Sequence, residues 1–424
     1  MKPVLVISCP ASSRSGYGDH SRDLIRSLIA MDRFDIKIMD QRWGNCPRTE
    51  LSPEDEITKL LLPRGPLQFQ PDVWIQVTVP NEFQKIGKSM NIGITAGIES
   101  NRVEPAWIEG CNRMDMIIVP SEHSKNTLID TKWDNKDQNG NVVNTLQCTK
   151  PVEVLFEGLD INIFDKTEPE NLVTVNGLNE IPESFCFLTV GHWLQGSFSH
   201  DRKDIGGTIN TFIDSFRSMR VKPALVIKTS SATFSVMDRY EMLRRIKSIQ
   251  QNFGKDQPKI YLLHGDLTPE EMNSLYNHPK IKAMVSFTHG EGYGRPLLEF
   301  SVTGKPVIAP NWSGHIDFLK DYAFKLPGEL KEIDNSALIE GIFTKGSMWF
   351  YVNYNVASKL MKNIYKKYKD YLKVSRKQRK FVKDNFTIEK MNEKFENIIT
   401  ENVPEPVKLN LPKLKLPKLE KING

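Results

Sequence analysis

The sequence predicts an α/β protein made of two doubly wound parallel-sheet domains that face each other across a cleft. Three observations carry that expectation. Short β-rich apolar runs recur along the chain with helical spacings between them, the runs are almost uninterrupted in their apolar character, and a polar stretch divides them into two groups. Alternating strand-like and helix-like segments are the pattern of a parallel sheet with helices on its faces. Unbroken apolar runs suit strands that are covered on both sides. The length of 424 residues agrees, because single domains average roughly 150 residues.

In chain order, the first group of strand-like runs is 4–7, 34–39, 73–79, 92–96, 116–119 and 152–156. The first of these is too short for the core of a signal peptide and reads as a buried strand. Behind the turn Ser15-Gly16-Tyr17-Gly18, Leu24, Ile25, Leu28 and Ile29 repeat at helical spacing. This group defines a first domain over 1–165. Residues 166–184 are polar, contain Pro169 and Pro182 and lack periodicity, so they are expected to form a linker. The second group, 185–190, 224–228, 260–263, 283–287 and 307–309, places a second domain at 185–355. The lysine-rich stretch 356–400 has a helical pattern and is expected to pack back across the first domain. Residues 401–424 repeat Leu-Pro-Lys-Leu at 411–414 and 416–419. Prolines at that spacing exclude a stable helix and predict a flexible tail, either a solvated terminus or a docking segment.

Composition bounds the function. With 39% hydrophobic and 26% charged residues the chain reads as soluble and globular. A formal charge of +5 permits an anionic partner without demanding one. The five cysteines (Cys9, Cys46, Cys111, Cys148, Cys186) are scattered and form no C-x-x-C pair, so neither a disulfide framework nor a zinc site is indicated. No apolar stretch approaches the roughly 20 residues that cross a bilayer. The expected location is the cytoplasm (that of the host if the chain is viral), with any membrane contact peripheral. The basic C-terminal region is the candidate contact for a membrane surface or nucleic acid.

The segment 286–299 carries the chemistry. A strand ends near Phe287, and the chain turns through Gly290, Gly292 and Gly294, where missing Cβ atoms allow close ligand approach and unusual dihedrals. Arg295-Pro296 opens a helix over 297–302 that stops before Gly304, with proline in the first turn where its missing N–H does no harm. The helix start is expected to aim free N–H groups at an anion. Glu291 and Glu299 flank it, and carboxylates suit paired sugar hydroxyls because each offers two acceptor oxygens. The plain alternative is a glycine-rich turn with one surface and one capping glutamate; three glycines between a strand and a proline-led helix weigh against it.

Glu291-Gly292-Tyr293-Gly294-Arg295-Pro296-Leu297-Leu298-Glu299, followed by Gly304-Lys305-Pro306-Val307-Ile308-Ala309 and Ser313-Gly314, resembles the E-x7-E region of retaining GT-B glycosyltransferases, especially glycosyltransferase family 4. The resemblance implies two Rossmann-like domains and a nucleotide-diphosphate sugar as co-substrate. It implies that Glu291 holds donor-sugar hydroxyls, that Glu299 holds the ribose, and that the 292–294 amides meet the diphosphate or sugar. Gly290, Tyr293 and Arg295 join the donor-binding set by position. Further matches are Val119-Pro120-Ser121 with Ser124, the segment Leu155-Phe156-Glu157-Gly158-Leu159-Asp160 with Phe164, and Gly191 followed by Asp201-Arg202-Lys203-Asp204. In the family the basic pair neutralises the departing diphosphate, a task suited to preorganised cations. Arg202 and Lys203 otherwise read as an ordinary solvated loop.

Two departures stand out. His192 occupies the place of the family's arginine, and residues 192–200 separate it from the basic pair. Lys228, ending a strand, is the candidate replacement cation or else a solvated lysine. In the first domain Gly16 and Gly18 resemble the family's glycine loop near the donor phosphate. Residues 94–99 lack the histidine many relatives carry, so Glu99 is the candidate catalytic group, as a base or a sugar-orienting residue, against a helix-capping or salt-bridged role. His123 beside the Val-Pro-Ser turn reads as a surface residue. No D-x-D triplet occurs, so no metal and no other cofactor are expected. The resulting expectation is a retaining, metal-independent hexosyl- or pentosyltransferase acting on a saccharide or lipid-linked saccharide. Alternatives are a phage-type transferase that glycosylates hydroxymethylated DNA bases, and a non-catalytic sugar-nucleotide-binding protein.

Overall fold

The computed structural model describes residues 2–231 and 234–404. The first half holds β1 (Val4–Cys9), α1 (Gly16–Met31), β2 (Asp35–Asp40), β3 (Val73–Val77), β4 (Met90–Ile94), α2 (Pro105–Arg113), β5 (Met116–Val119), α3 (Glu122–Asp130), the hairpin strands β6 (Lys132–Lys136) and β7 (Val142–Gln147), and β8 (Val152–Val154). Its six-stranded sheet has the order β2-β1-β3-β4-β5-β8, with every pairing parallel. Successive side chains of a strand point to opposite faces, and both faces are filled. Leu5 and Ile7 join Leu24, Ile25 and Leu28 of α1 on one side. Val6 and Trp74 meet Trp107 and Ile108 of α2 on the other. Burial on both faces is why these strands read as unbroken apolar runs.

The second half repeats the plan with β9 (Cys186–Val190), α4 (Ile205–Phe216), β10 (Ala224–Lys228), α5 (Val236–Gln250), β11 (Ile260–Leu263), α6 (Pro269–Asn277), β12 (Ile281–Val285), α7 (Arg295–Ser301), β13 (Val307–Pro310), α8 (Ile316–Leu319) and β14 (Phe324–Leu326). The sheet order is β11-β10-β9-β12-β13-β14, again parallel throughout. Strand order reverses between β9 and β12, and ligands of open α/β sheets bind beyond the carboxyl ends of the strands at such a point. The loops after β9 and β12 carry the Arg202-Lys203 pair and the glycine-rich segment.

An antiparallel pair, β15 (Gly328–Glu332) and β16 (Met348–Val352), leads to α9 (Tyr354–Lys366), α10 (Tyr368–Asn385) and α11 (Ile388–Asn402). The last helix lies on α1 and buries Met391, Phe395 and Ile399 in the first core. The stretch 166–184 contains neither strand nor α-helix, yet Val175, Leu178 and Ile181 are buried in the second core.

Several expectations need correction. Gly16-Tyr17-Gly18 is the first turn of α1 rather than a turn before it, with the Ser15 side chain accepting from the Gly18 N–H at 3.1 Å. The β6–β7 hairpin escaped notice because its residues are polar and largely exposed, leaving no apolar alternation to read. Glu401 and Asn402 belong to α11, not to a tail. The rest of the predicted tail from 405 onward lies outside the described residues.

Candidate active site

The glycine-rich segment is built differently from its expected form. Gly294, at φ +101, supplies the left-handed residue that starts α7. Gly290 and Gly292 are required by the other half of the protein: a Cβ on Gly290 would lie 2.0 Å from the Glu99 carbonyl, and one on Gly292 would lie 2.1 Å from that of Ala96. The Gly292 carbonyl accepts from the Ser121 hydroxyl at 2.6 Å, so the Val-Pro-Ser turn closes on this loop. These two glycines make the joint between the halves. The helix start also offers fewer donors than expected. Pro296 has no N–H, and the amides of Leu297 and Leu298 bond to the Gly294 carbonyl at 2.9 and 3.3 Å. With only seven residues α7 has a short run of aligned peptide dipoles, so an anion here depends on side-chain cations.

Those cations converge beside the loop. Asp204 caps α4, accepting from the Gly207 N–H at 3.0 Å, and so fixes the residues just ahead of it. The Arg202 carbonyl accepts from the His289 N–H at 2.8 Å. The Lys203 chain crosses the face of Gly191, where a Cβ would meet it at 3.1 Å. The excursion over 192–200 therefore returns the basic pair to the end of β9. Lys203 donates to Glu291, whose other oxygen lies 3.3 Å from Arg202. Arg202 also reaches Glu99 of the first half at 3.2 Å. Burial alone would raise the Glu291 pKa, but Lys203 and Arg202 together hold it down at about 2. Burial lowers the Lys203 pKa despite the pull of Glu291, and Glu99 and Glu291 raise that of Arg202 against burial. The four predicted catalytic residues thus form one charged cluster drawn from both halves.

Glu299 belongs to a second cluster. It accepts from the Tyr276 hydroxyl at 3.0 Å and from Arg295 Nε at 3.3 Å. Arg295 extends across to the first half, 3.5 Å from Asp23 of α1 and 4.0 Å from Glu157. Burial raises Glu299 and Glu157 each to about 7, with Arg295 opposing the rise. Arg295 Nη1, Asp23 Oδ2 and the Tyr293 hydroxyl are buried without a hydrogen-bond partner among the described residues. The Tyr293 ring stacks edge-on against Phe318 and lies in the second core.

The remaining predicted residues divide. His192 contacts the Ser230 hydroxyl at 3.2 Å; burial, then Lys203 and Arg202, lower its pKa, which favours the neutral ring. Lys228 donates to the Gly265 carbonyl at 2.8 Å rather than standing free in solvent. Gly16 faces open space, whereas a Cβ on Gly18 would lie 2.0 Å from the Ser13 carbonyl, a packing reason for that glycine. His123 is not a surface residue: it is half-buried, 4.7 Å from the Trp312 ring in edge contact. Sequence reasoning missed Arg14, which crosses the cleft to Asp266 at 2.7 Å, and the Asp23 and Glu157 partners of Arg295. None of these has a local signature, because each becomes significant only through a residue of the opposite half.

Solved structures of other proteins align with nearly the whole chain, three of them as follows. Sucrose-phosphate synthase from Thermosynechococcus elongatus is 13% identical, with a TM-score of 0.62 over 95% of this chain and 99% of that one. The fold is that of the GT-B glycosyltransferases. Anabaena HepE in complex with UDP-glucose aligns at 12% identity and a TM-score of 0.59, covering 94% of this chain and 100% of its own. A glycosyltransferase from Rickettsia africae aligns at 14% and 0.58, covering 94% and 98%. The sequence matches no protein-family model and no curated protein. Within this GT-B frame one charged cluster sits where the Glu99 loop of the first half meets the loops beyond β9 and β12, and the other where α1 and the Glu157 loop meet α7. Among the described residues no group of three or more His, Cys, Asp or Glu is placed to hold a metal ion, and no helix is long and apolar enough to cross a membrane.

Proposed function

We propose that the protein is a retaining glycosyltransferase of the family 4 type, moving a sugar from a nucleotide diphosphate to the hydroxyl of a saccharide or lipid-linked saccharide. The observation that carries this reading is the half-buried Arg202–Lys203 pair at the β9–β12 switch point, countered by Glu291 and Glu99. UDP-glucose in HepE supports a nucleotide-sugar donor. The donor diphosphate takes over the cations from the carboxylates, and Glu291, ionised and released, accepts from the sugar hydroxyls. Glu299 accepts from the ribose. The acceptor oxygen bonds to the anomeric carbon on the face that the diphosphate leaves, the carbon–oxygen bond to the diphosphate breaks, and the acceptor proton passes to the departing oxygen. Arg202 and Lys203 stabilise the charge that grows there. Glu99, from the first half, orients the acceptor.

A second reading, transfer to a hydroxymethylated base in DNA, draws on the lysine-rich face of α9 and α10 described below. The experiment for the main reading is a thermal-shift screen against nucleotide sugars, since a ligand that favours the folded state raises its melting temperature, followed by transfer assays. Glu299→Ala is expected to lose donor binding and Glu291→Ala to lose turnover. Full transfer by both variants refutes the assignment. Donor bound without release of nucleoside diphosphate, with or without acceptor, identifies a non-catalytic binder.

A further inference from the structure

Residues 354–385, covering α9 and α10, contain eleven Lys or Arg and only two acids, Asp370 and Asp384. Their net +9 exceeds the +5 of the whole chain, leaving −4 for everything else. The basic character of this protein is therefore local. Most of these cations are exposed, and Lys369, Lys373, Arg376 and Lys380 follow one another at spacings of four, three and four along α10. That is the periodicity of a single helix face. At 1.5 Å per residue the row is about 16 Å long. Opposite it, Ser375, Gln378 and Val382 are buried against the second half, so the row is held on a rigid support.

Among the described residues, Lys380 pairs with Asp384 at 2.7 Å, but no carboxylate lies within ion-pair distance of Lys366, Lys367, Lys369, Lys373, Arg376 or Lys377. Beside the row a cavity of about 470 Å3 is lined by Lys166, Gly304, Lys305, Tyr368, Arg376 and Arg379. Arg379 is anchored to Asp165 at 2.8 Å and to the Val302 carbonyl at 2.9 Å, at the end of α7 remote from the candidate site.

We infer that this face binds the phosphate backbone of a nucleic-acid duplex. A linear row of cations, with only Lys380 paired, matches a linear row of phosphates, whose counterions are released on binding. Two other polyanions fit less well. An anionic membrane is engaged by cations flanking exposed apolar side chains, and Val356 is the one large apolar residue of α9–α11 that is well exposed. Single strands are held by aromatic platforms, while Tyr365, Tyr368, Tyr371 and Phe381 are all half-buried in packing contacts. The face is separated from the glycine-rich segment by the length of α7, so it tethers the protein to a duplex and does not itself present the acceptor. The inference is independent of what the cleft transfers.

The test is fluorescence anisotropy of the full chain with a short DNA duplex of arbitrary sequence. Four phosphate contacts predict roughly a 10²-fold loss of affinity between about 50 and 200 mM salt. The variant Lys369→Glu/Lys373→Glu/Arg376→Glu/Lys377→Glu should abolish binding while leaving donor-induced thermal shifts unchanged. Should that variant fail to fold, single Lys373→Gln and Lys377→Gln changes should each reduce the salt slope by about one. No duplex binding at low salt, or unaltered binding in variants that fold, overturns the inference. So does binding to phosphatidylserine–phosphatidylcholine vesicles that equals or exceeds binding to the duplex.

Discussion

Replacing Glu291 by glutamine separates its two roles. In the native cluster its pKa falls from 4.5 to about 2, and each unit is about 1.36 kcal/mol of preference for the charged form. The shift therefore corresponds to about 3 kcal/mol of net preference for the ionised form, left after burial has opposed the attraction of Lys203 and Arg202. Because the folded pKa is depressed, this contribution is present above pH 4.5 and is lost as pH falls towards 2. Glutamine keeps the shape but removes the charge, leaving two half-buried cations with Glu99 as their remaining counter-charge. Breaking one side of a buried pair costs about 3–5 kcal/mol, which for a domain of this size is a fall of roughly 6–20 °C in melting temperature. A nucleoside diphosphate then no longer competes with Glu291 for the cations. Its affinity for Glu291→Gln should rise by about tenfold or more, equivalent to at least 1.4 kcal/mol, while sugar transfer is lost. Calorimetric titration of nucleoside diphosphate against both proteins, with melting curves for each, reads both effects. Unchanged stability together with weaker diphosphate binding refutes the reasoning, because it means that Glu291 does not neutralise the cations in the free protein.

Two further predictions follow from the same geometry. Gly292→Ala places a Cβ 2.1 Å from the Ala96 carbonyl, so the halves must separate by roughly 1 Å, a displacement that costs about 10²-fold in kcat. Gly16→Ala meets open space and should leave the melting temperature unchanged or higher; equal losses in both variants count against the joint. Glu157 and Glu299 are raised to about 7, so their contribution is fully present below pH 4.5 and is lost as pH rises through about 7. Stability measured by urea denaturation should fall over that window, and Glu157→Gln/Glu299→Gln should flatten the fall; an unchanged slope refutes the assignment.

Much of the fold was legible in one dimension. Each strand-like run has its counterpart in the two parallel sheets, because a strand buried on both faces must be apolar at successive positions, as in Val4–Cys9 and Cys186–Val190. What escaped were elements without that pressure, such as the exposed β6–β7 hairpin and the short edge strand Phe324–Leu326. The candidate site was legible as a set of residue types, since Gly294, Pro296 and the glutamates sit within one local segment.

Local sequence thus determined the parallel α/β class, the start of α7 and the candidate residues near it, because each depends on neighbours a few positions away. Tertiary structure decided the partners. Gly290 and Gly292 are small because the Glu99 and Ala96 carbonyls press on them. Arg202 and Lys203 are held by carboxylates from both halves, and Arg295 faces Asp23 and Glu157 rather than solvent. Contacts across the cleft join residues far apart in the chain, and no periodicity or local propensity encodes which of them meet.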